Sequence, residues 1–181
     1  MPVSEKTYLR VALEDPGQWE LHRGQLRRKP GMSAEHNEVA MELGFRLADQ
    51  LGRQDYRVRV GMGHVRRSSE SYYIPDVFVI PNELFQQARG RPNTLETYSV
   101  PLPLVIEVWS PSTGDYDVDS KLPEYQARGD LEIWRVHPFE RTLKAWRRQP
   151  NGSYSAFEYA GGVVQPASLP GIAIDLDTLF D

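Results

Sequence analysis

The sequence contains no cysteine, and this absence removes several classes of chemistry at once. Disulfides, thiolate zinc sites and cysteine nucleophiles are excluded, and the composition agrees with a reducing cytoplasm. The chain also lacks any apolar run near the roughly 20 residues that span a bilayer, and residues 1–10 lack the apolar core of a signal peptide. We therefore expect a cytoplasmic protein with no membrane partner.

The chain lacks a positive net charge as well. Its formal net charge of −4 argues against a general electrostatic attraction to nucleic acid, but it leaves room for a local basic face. The length of 181 residues, with 40% hydrophobic and 25% charged side chains, is typical of one globular domain, so we assign residues 1–181 to a single domain. The 14 glycines and 14 prolines indicate many turns.

The order of apolar patterns predicts a mixed α/β (α+β) domain with one mixed central sheet flanked by helices. An N-terminal helix ends before Pro16, and a β-hairpin turns at Arg23-Gly24. The predicted remaining helices are 33–52 and 119–128, the predicted strands are 56–61, 64–69, 72–81, 104–108, 131–136, 143–148 and 154–160, and 82–99 is a polar surface excursion.

Two carboxylates interrupt runs that otherwise suit buried strands. Asp76 lies in "YYIPDVFVIP" and Glu107 in "LPLVIEVWSPST". An ionised carboxylate in such a place costs several kcal/mol unless a cation or strong donors compensate. Adjacent strand ends would let both residues share one Mg²⁺ or Mn²⁺, ions that prefer oxygen ligands. Either residue alone is more often a strand-end residue or part of a structural ion pair, and Pro75 favours a strand end.

These motifs occur in an order that resembles the Uma-two-like restriction-endonuclease family, a branch of the PD-(D/E)XK nucleases. The similarity runs from about Trp19 to the C-terminus. Its blocks are the hairpin "WELHRGQL", a helix that begins near a histidine, "IPDVFVI", "IEVWSPST", "DVDSKLPEY" and "LEIWRVHP". The resemblance implies a restriction-endonuclease-like core with the N-terminal helix and hairpin and extra C-terminal strands around it.

The resemblance also implies roles for individual residues. Asp76 and Glu107 would bind the metal, with the backbone carbonyl of Val108 as the third protein ligand. The lysine that usually lies two residues after the glutamate is absent because position 109 is tryptophan, so the following helix would supply Lys121. Lys121 would then stabilise charge on the phosphate or orient the attacking water.

The position of Lys121 raises a difficulty. Proline is tolerated only in the first turn of a helix, so Pro123 predicts a helix start near Asp119 or Ser120. A lysine at the positive end of a helix is unfavourable unless an anion lies beside it. We therefore expect a carboxylate or another anion next to Lys121.

A second group of residues matches the family more weakly. Its members are Glu20, which could reach the metal through water or face solvent from a strand, Glu35 and His36 at the start of the long helix, and Asp117, which could instead cap a helix. For His36 we favour a structural role over metal ligation.

The sequence departs from the family pattern at three further positions, which carry Gln25, Gly114 and His137. None of these departures removes a proposed metal ligand.

The expected reaction is metal-dependent hydrolysis of DNA phosphodiester bonds. Basic side chains could contact the backbone of the DNA, and the two-fold symmetry of duplex DNA suggests a homodimer. The basic candidates are Arg23, Arg27, Arg28, Lys29, Arg57, Arg59, Arg66 and Arg67. Two other classes stay open: a non-catalytic nucleic-acid- or protein-binding module on the nuclease fold, which needs no metal, and a carboxylate enzyme such as a glycoside hydrolase, in which Lys121 has no role.

Overall fold

A computed structural model describes residues 1–181. The helices are α1 (Glu5–Glu14), α2 (Ala34–Gln50), α3 (Asn82–Ala88), α4 (Gly114–Tyr116), α5 (Leu122–Arg128) and α6 (Leu176–Leu179), and a π-helical turn (Asp117–Lys121) joins α4 to α5. The strands are β1 (Trp19–His22), β2 (Gln25–Arg28), β3 (Tyr56–Val60), β4 (His64–Ser68), β5 (Ser71–Tyr73), β6 (Val77–Pro81), β7 (Thr97–Tyr98), β8 (Leu104–Val108), β9 (Glu132–His137), β10 (Thr142–Arg148), β11 (Tyr154–Tyr159), β12 (Val163–Val164) and β13 (Ile174–Asp175). None of the helices has the length and apolar character needed to cross a bilayer.

The strands form a six-stranded central sheet, a five-stranded sheet and a short two-stranded pair. The central sheet has the order β11-β10-β9-β8-β6-β3, and β8 and β9 are its parallel pair. The five-stranded sheet has the order β2-β1-β5-β4-β7. The mixed α/β class, with a mixed central sheet, an N-terminal hairpin and extra C-terminal strands, is confirmed, whereas the prediction of one sheet is wrong.

The chain changes sheets at the segment that the sequence suggested as one strand. β5 belongs to the five-stranded sheet and β6 to the central sheet, and residues 74–76 cross between them. Pro75 has no N–H to give to a ladder. The peptide groups of Ile74 are bonded by side chains instead: its N–H donates to Glu20 Oε1 at 2.8 Å, and its carbonyl accepts from Lys29 Nζ at 2.9 Å. Asp76 therefore lies at the entrance to β6.

The hairpin forms as expected. Arg23 and Gly24 both have positive φ, 48° and 81°, the combination that a two-residue turn between twisted strands requires. Its second strand brings residues 27–29 alongside the crossing segment, as the Lys29 bond to Ile74 shows.

Helix α2 covers one face of the central sheet. Ser33 Oγ caps the helix by accepting the His36 N–H at 3.2 Å, and the apolar stripe then packs on β3, β6 and β8. A second apolar cluster lies on the opposite face, towards the five-stranded sheet and α5. The first cluster includes Val39, Leu43, Leu47, Val79 and Ile106, and the second includes Val65, Tyr73, Phe78, Val105 and Tyr125.

The predicted start of the helix before Pro123 is wrong. Helical structure begins five residues earlier than Asp119, at Gly114, and it continues through the π-helical turn into α5. The N–H of Leu122 donates to the carbonyl of Asp117, five residues back. This wider turn accommodates a proline whose ring would clash with a regular α-helical carbonyl. Lys121 consequently lies inside a helical segment rather than at its positive end.

The excursion between β6 and β8 is also more ordered than expected. Residues 82–88 form α3, and residues 97–98 pair with β4 as the parallel strand β7.

Buried His64 leads to a prediction about acid stability. Both nitrogens of its ring are buried without a hydrogen-bond partner, and burial lowers the pKa of His64 to about 4. The unfolded state therefore takes up the proton first, and stability is lost as the pH falls from 6.5 towards 4, by up to about 3 kcal/mol. Urea unfolding at pH 7 and pH 4.5 should show a smaller loss for His64→Leu than for the wild type. Equal losses in both proteins would contradict this account.

Candidate active site

Asp76 is fixed by three donors at the start of β6. Its Oδ1 accepts from Lys29 Nζ at 3.1 Å, and its Oδ2 accepts from the Val108 N–H at 2.8 Å and lies 3.1 Å from His36 Nε2. The side chain is buried, so these donors replace the water that the carboxylate has lost. The apolar surroundings that made Asp76 conspicuous in the sequence are thus offset by a specific set of polar contacts.

The charges around Asp76 favour its ionised form. Burial alone would raise the pKa of this carboxyl, but Lys29 and His36 outweigh burial and hold the pKa well below its ordinary 3.8. Burial likewise opposes the charged form of His36, yet the hydrogen bond and charge of Asp76 raise the pKa of His36 above 6.5. His36 therefore has a clear partner, which agrees with the structural role that we favoured.

Glu107 lies next to Asp76 because β6 and β8 are antiparallel. The register pairs Val77 with Ile106, so the residues one step further, Asp76 and Glu107, stand at the same end of the two strands. Both side chains line one cavity of about 240 Å³. The predicted meeting of two carboxylates at adjacent strand ends is thus what this register produces.

Glu107 is held through one oxygen only. Its Oε1 contacts Lys121 Nζ at 2.5 Å and accepts the Tyr125 hydroxyl at 2.5 Å. Both contacts fall on Oε1, so Oε2 is the oxygen left for another ligand. Tyr125 packs against Tyr73 and also holds this carboxylate.

Lys121 is completely enclosed by carboxylates and aromatic rings, with 1% of its surface exposed. Besides Glu107, its Nζ donates to Glu20 Oε1 at 2.8 Å and lies 4.0 Å from Asp117 Oδ1. Burial opposes the charged form, but Glu107 and Glu20 raise the pKa of Lys121 well above 10.5. The anionic partner that we expected for Lys121 is therefore present twice.

Two acids of the cluster, Glu107 and Asp117, carry raised pKa values. Burial, together with the negative charges of Asp76 and Asp117, raises the pKa of Glu107 well above 4.5 against the pull of Lys121. Burial raises the pKa of Asp117 to about 6, although Lys121 acts in the opposite direction. Ionising these two carboxyls is costly without an additional cation, which is the property expected of a site for a positive ligand.

The cavity joins the acidic cluster to the basic strand of the hairpin. Four carboxylates and four cations lie on its wall, so their formal charges balance. The lining residues are Glu20, Arg27, Arg28, Lys29, Pro30, Asp76, Glu107, Ser112, Thr113, Tyr116, Asp117 and Lys121.

The structure brings most of the candidate residues together, and Glu35 is the exception. Glu35 is exposed in the first turn of α2 and does not line the cavity. Val108 donates its N–H to Asp76 Oδ2, and the role expected for its carbonyl stays a prediction. Glu20 does not face solvent as a strand glutamate usually does, because it is buried between Lys121 and the Ile74 N–H.

Lys29 and Tyr116 complete the site, and sequence reasoning did not assign them to it. Lys29 was only one of several basic residues in the hairpin, and no local signal marks it as the partner of Asp76. Tyr116 lies with its hydroxyl 3.4 Å from Glu20 Oε2, and the Arg27 guanidinium sits 4.4 Å from the centroid of its ring. Both assignments depend on contacts between elements that are distant in the sequence.

Several basic candidates are engaged elsewhere. Arg59 pairs with Glu96 at 2.8 Å, and Arg66 pairs with Glu5 at 2.9 Å. Arg23 and Arg67 both approach Glu124, at 3.2 and 3.8 Å. Of the basic residues expected to contact nucleic acid, only Arg27, Arg28 and Lys29 line the cavity.

The donors at this site suit a hard divalent ion in their chemistry. Asp76 and Glu107 supply carboxylate oxygens to the same cavity, and Glu107 Oε2 forms no hydrogen bond. No group of three acidic or histidine side chains is arranged to hold an ion by itself, so water or backbone oxygens would have to complete the coordination. The Lys29 contact with Asp76 Oδ1 would also have to open. With that movement, the two carboxylates fit Mg²⁺ or Mn²⁺.

Comparison with solved structures identifies the class to which this fold belongs. The chain is similar to the crystal structure of a putative nuclease belonging to DUF820 from Anabaena variabilis ATCC 29413, with a TM-score of 0.77 and 17% sequence identity. The similarity covers 99% of this chain and 98% of that one, so the two proteins share one fold along nearly their whole lengths.

The family assignment follows from the sequence model that matches residues 6–177, that of Uma2, described as a putative restriction endonuclease. The chain belongs to this family, and the resemblance inferred from its motifs is confirmed. No curated protein matches the chain.

Proposed function

We propose that this protein is a metal-dependent endonuclease of the PD-(D/E)XK type that hydrolyses phosphodiester bonds in DNA. One observation carries the proposal: Asp76 and Glu107 meet at adjacent strand ends, in one cavity, with Lys121 2.5 Å from Glu107. Membership in a family of nuclease-like proteins supports the same reaction class.

Each residue has a distinct task in this proposal. Asp76 and Glu107 hold Mg²⁺ or Mn²⁺, which when bound supplies Lewis-acid chemistry to a phosphate and its attacking water. Lys121 places a fixed positive charge beside Glu107, where it stabilises negative charge that develops on the phosphate. Glu20 and Tyr125 position Lys121 and Glu107 through the contacts described above.

The walls of the cavity supply the remaining functions. Arg27 and Arg28 provide cationic groups for the backbone of the DNA. The third ligand from the protein is the carbonyl of Val108, whose N–H already anchors the strand to Asp76. Asp117 adds a carboxylate that accepts from Thr113 Oγ1 at 3.2 Å and keeps Lys121 within a negative environment.

The proposal is tested by incubating supercoiled plasmid and single-stranded DNA with the wild-type protein in Mg²⁺, Mn²⁺ or EDTA. We expect nicked or linear products with either metal and none in EDTA. Cleavage that persists unchanged in EDTA would contradict a metal-dependent mechanism.

The raised pKa values of Asp117 and Glu107 predict that metal binding depends on pH. A divalent ion must displace the proton from its ligand Glu107, and its charge also favours the ionised form of Asp117 in the same cavity, so its affinity should rise from pH 5 to pH 7, by up to about tenfold per pH unit for each proton released. Calorimetry with Mn²⁺ in two buffers of different ionisation enthalpy measures both the affinity and the proton release. An affinity that does not change over this range would contradict the proposed ligands.

A second candidate is a nucleic-acid-binding module without catalytic activity. The observation in its favour is that Asp76 and Glu107 already have lysine partners, Lys29 and Lys121, within the protein. This candidate predicts that DNA affinity is the same with and without Mg²⁺ and that Mn²⁺ binding releases no heat. The calorimetric titration with Mn²⁺ therefore distinguishes the binding module from the endonuclease.

A homodimer would place two such sites on the two strands of duplex DNA. We include this state in the proposal because of the symmetry of the substrate. Light scattering of the purified protein, alone and with a short duplex, gives the molar mass and therefore the oligomeric state.

A further inference from the structure

An aromatic cluster lies beside the candidate active site and has no role in the proposed chemistry. The Trp109 indole stacks on the His137 imidazole with ring centroids 4.1 Å apart and an angle of 16° between the planes. The Phe139 ring meets both edge-on, at 6.1 and 6.5 Å. More than half of Phe139, 53%, is exposed, although an aromatic ring gains free energy from burial.

The cluster is continuous with the wall of the active-site cavity. Trp109 follows Glu107 by two residues and keeps the strand pairing through its N–H bond to the Val136 carbonyl, so the alternation of the strand puts both side chains on one face. The next turn carries Ser112 and Thr113, which line the cavity.

The end of that turn is fitted to the indole. At Gly114, an added Cβ would lie 2.3 Å from Trp109 Nε1. The indole ring therefore packs directly against the backbone of Gly114, the residue that follows Thr113 in the cavity wall. Positions 109, 114 and 137 thus meet in one place.

Arg135 adds a cation without a partner to the same face of the sheet. It is paired in register with Glu107 across β8 and β9, and it forms no ion pair within 4.0 Å. Its Nε is buried and has no hydrogen-bond acceptor. The two terminal nitrogens of the guanidinium also have no acceptor in the chain, but they are not buried, and Arg135 lines the open groove described next, so they can donate to an acceptor supplied from outside.

Arg135 and His137 border a groove of about 370 Å³ that begins next to the aromatic cluster. Lys144 lies in this groove and pairs with Glu158 at 3.3 Å, while Glu140 uses its N–H to bond His137 Nδ1 at 3.0 Å. The Glu158 carboxylate thus lies beside Lys144, and Glu140 Oε1 lies 3.8 Å from His137 Nε2. Arg135 is the one charged side chain of the groove without a charged partner.

We propose that this surface, formed by Trp109, Arg135, His137 and Phe139, binds an unpaired nucleotide next to the scissile phosphate. The base stacks on the aromatic rings, and Arg135 donates to a phosphate oxygen of the same strand. A base inside a duplex is already stacked on its neighbours and cannot use the surface. The inference rests on the proposed function and narrows its substrate to DNA with unpaired nucleotides, such as single strands, overhangs and forks.

Binding of labelled oligonucleotides measured by anisotropy, in EDTA and again with Ca²⁺, tests this inference separately from cleavage. Phe139→Ala should weaken binding of a single-stranded 12-mer by about 5- to 100-fold and leave binding of the matching duplex unchanged. Arg135→Gln should weaken single-strand binding and reduce the slope of log affinity against log salt by about one. The matched control is Phe157→Ala, which removes an aromatic ring that is 40% exposed. Phe157 precedes Glu158, the strand partner of Lys144, so its side chain lies on the face of the sheet opposite to Lys144 and Arg135. The control variant should bind as the wild type does.

Tryptophan fluorescence provides a second readout. A stacked base should quench the fluorescence of the Trp109 indole. The single strand should therefore lower the tryptophan fluorescence of the wild type more than that of Trp109→Phe. Three results would overturn the inference. They are wild-type-like binding by both Phe139→Ala and Arg135→Gln, variants that weaken single-strand and duplex binding equally, and a wild-type protein that binds neither DNA. Intact binding with these variant effects, but without any cleavage in Mg²⁺, would overturn the proposed catalytic function alone.

Discussion

Replacing Glu107 with glutamine is expected to lower the rate of Mg²⁺-dependent DNA cleavage by at least about 100-fold without unfolding the protein. The amide oxygen can still accept from Lys121 and Tyr125, because both contacts fall on Oε1. The amide NH₂ then stands where Oε2 would bind the metal. Burial already raises the pKa of Glu107, so a neutral side chain suits this position energetically.

The Glu107 variant has a simple control. Glu38→Gln makes the same chemical change at an exposed position on α2, the helix that carries His36, and should cleave as the wild type does. Single-turnover cleavage of a labelled single-stranded oligonucleotide gives the rates, and circular dichroism reports the folded state. A Glu107→Gln protein that is folded and cuts within threefold of the wild type would show that this residue does not bind the catalytic metal.

Replacing Lys121 with methionine is expected to destabilise the protein by about 3–5 kcal/mol, the range seen when one partner of a buried ion pair is removed. Methionine keeps the approximate volume, so the loss arises from charge rather than from a cavity. Glu20 and Glu107 would remain buried without the cation that lies 2.8 and 2.5 Å from them. Urea unfolding measures the change.

Two further variants separate charge from packing at this position. Adding Glu20→Gln to Lys121→Met removes one of the orphaned carboxylates and should recover part of the stability. Lys6→Met changes an exposed lysine on α1 that forms no ion pair and should alter stability by less than about 0.5 kcal/mol. A loss below 1 kcal/mol for Lys121→Met would mean that the buried cation contributes little.

The sequence predicted the elements of the fold well where the local pattern was decisive. The cap at Ser33 and the apolar stripe that follows it determine α2, and the Arg23-Gly24 turn determines the hairpin. The sequence pattern does not determine which sheet a strand joins, because the ladder partners are distant in the chain. For this reason "YYIPDVFVIP" was interpreted as one strand, although Pro75 divides it between two sheets.

The candidate site divides in the same way. Asp76 and Glu107 were visible because a charge inside an apolar strand is costly and therefore informative. Lys29 was not visible as the partner of Asp76, because the contact depends on how the hairpin packs against the crossing segment. The depth of Lys121 was missed because a π-helical turn, which no local pattern signals, allows the helix to begin before Pro123.

The central claim is that Asp76 and Glu107 hold one divalent ion, and anomalous diffraction from crystals soaked in Mn²⁺ tests it most directly. We predict a single peak with oxygens of both carboxylates at about 2.1–2.2 Å, the range of small hard ions, and with Lys29 moved away from Asp76 Oδ1. A map without a peak at this position, in which Lys29 still contacts Asp76 and Lys121 still contacts Glu107, would contradict the claim.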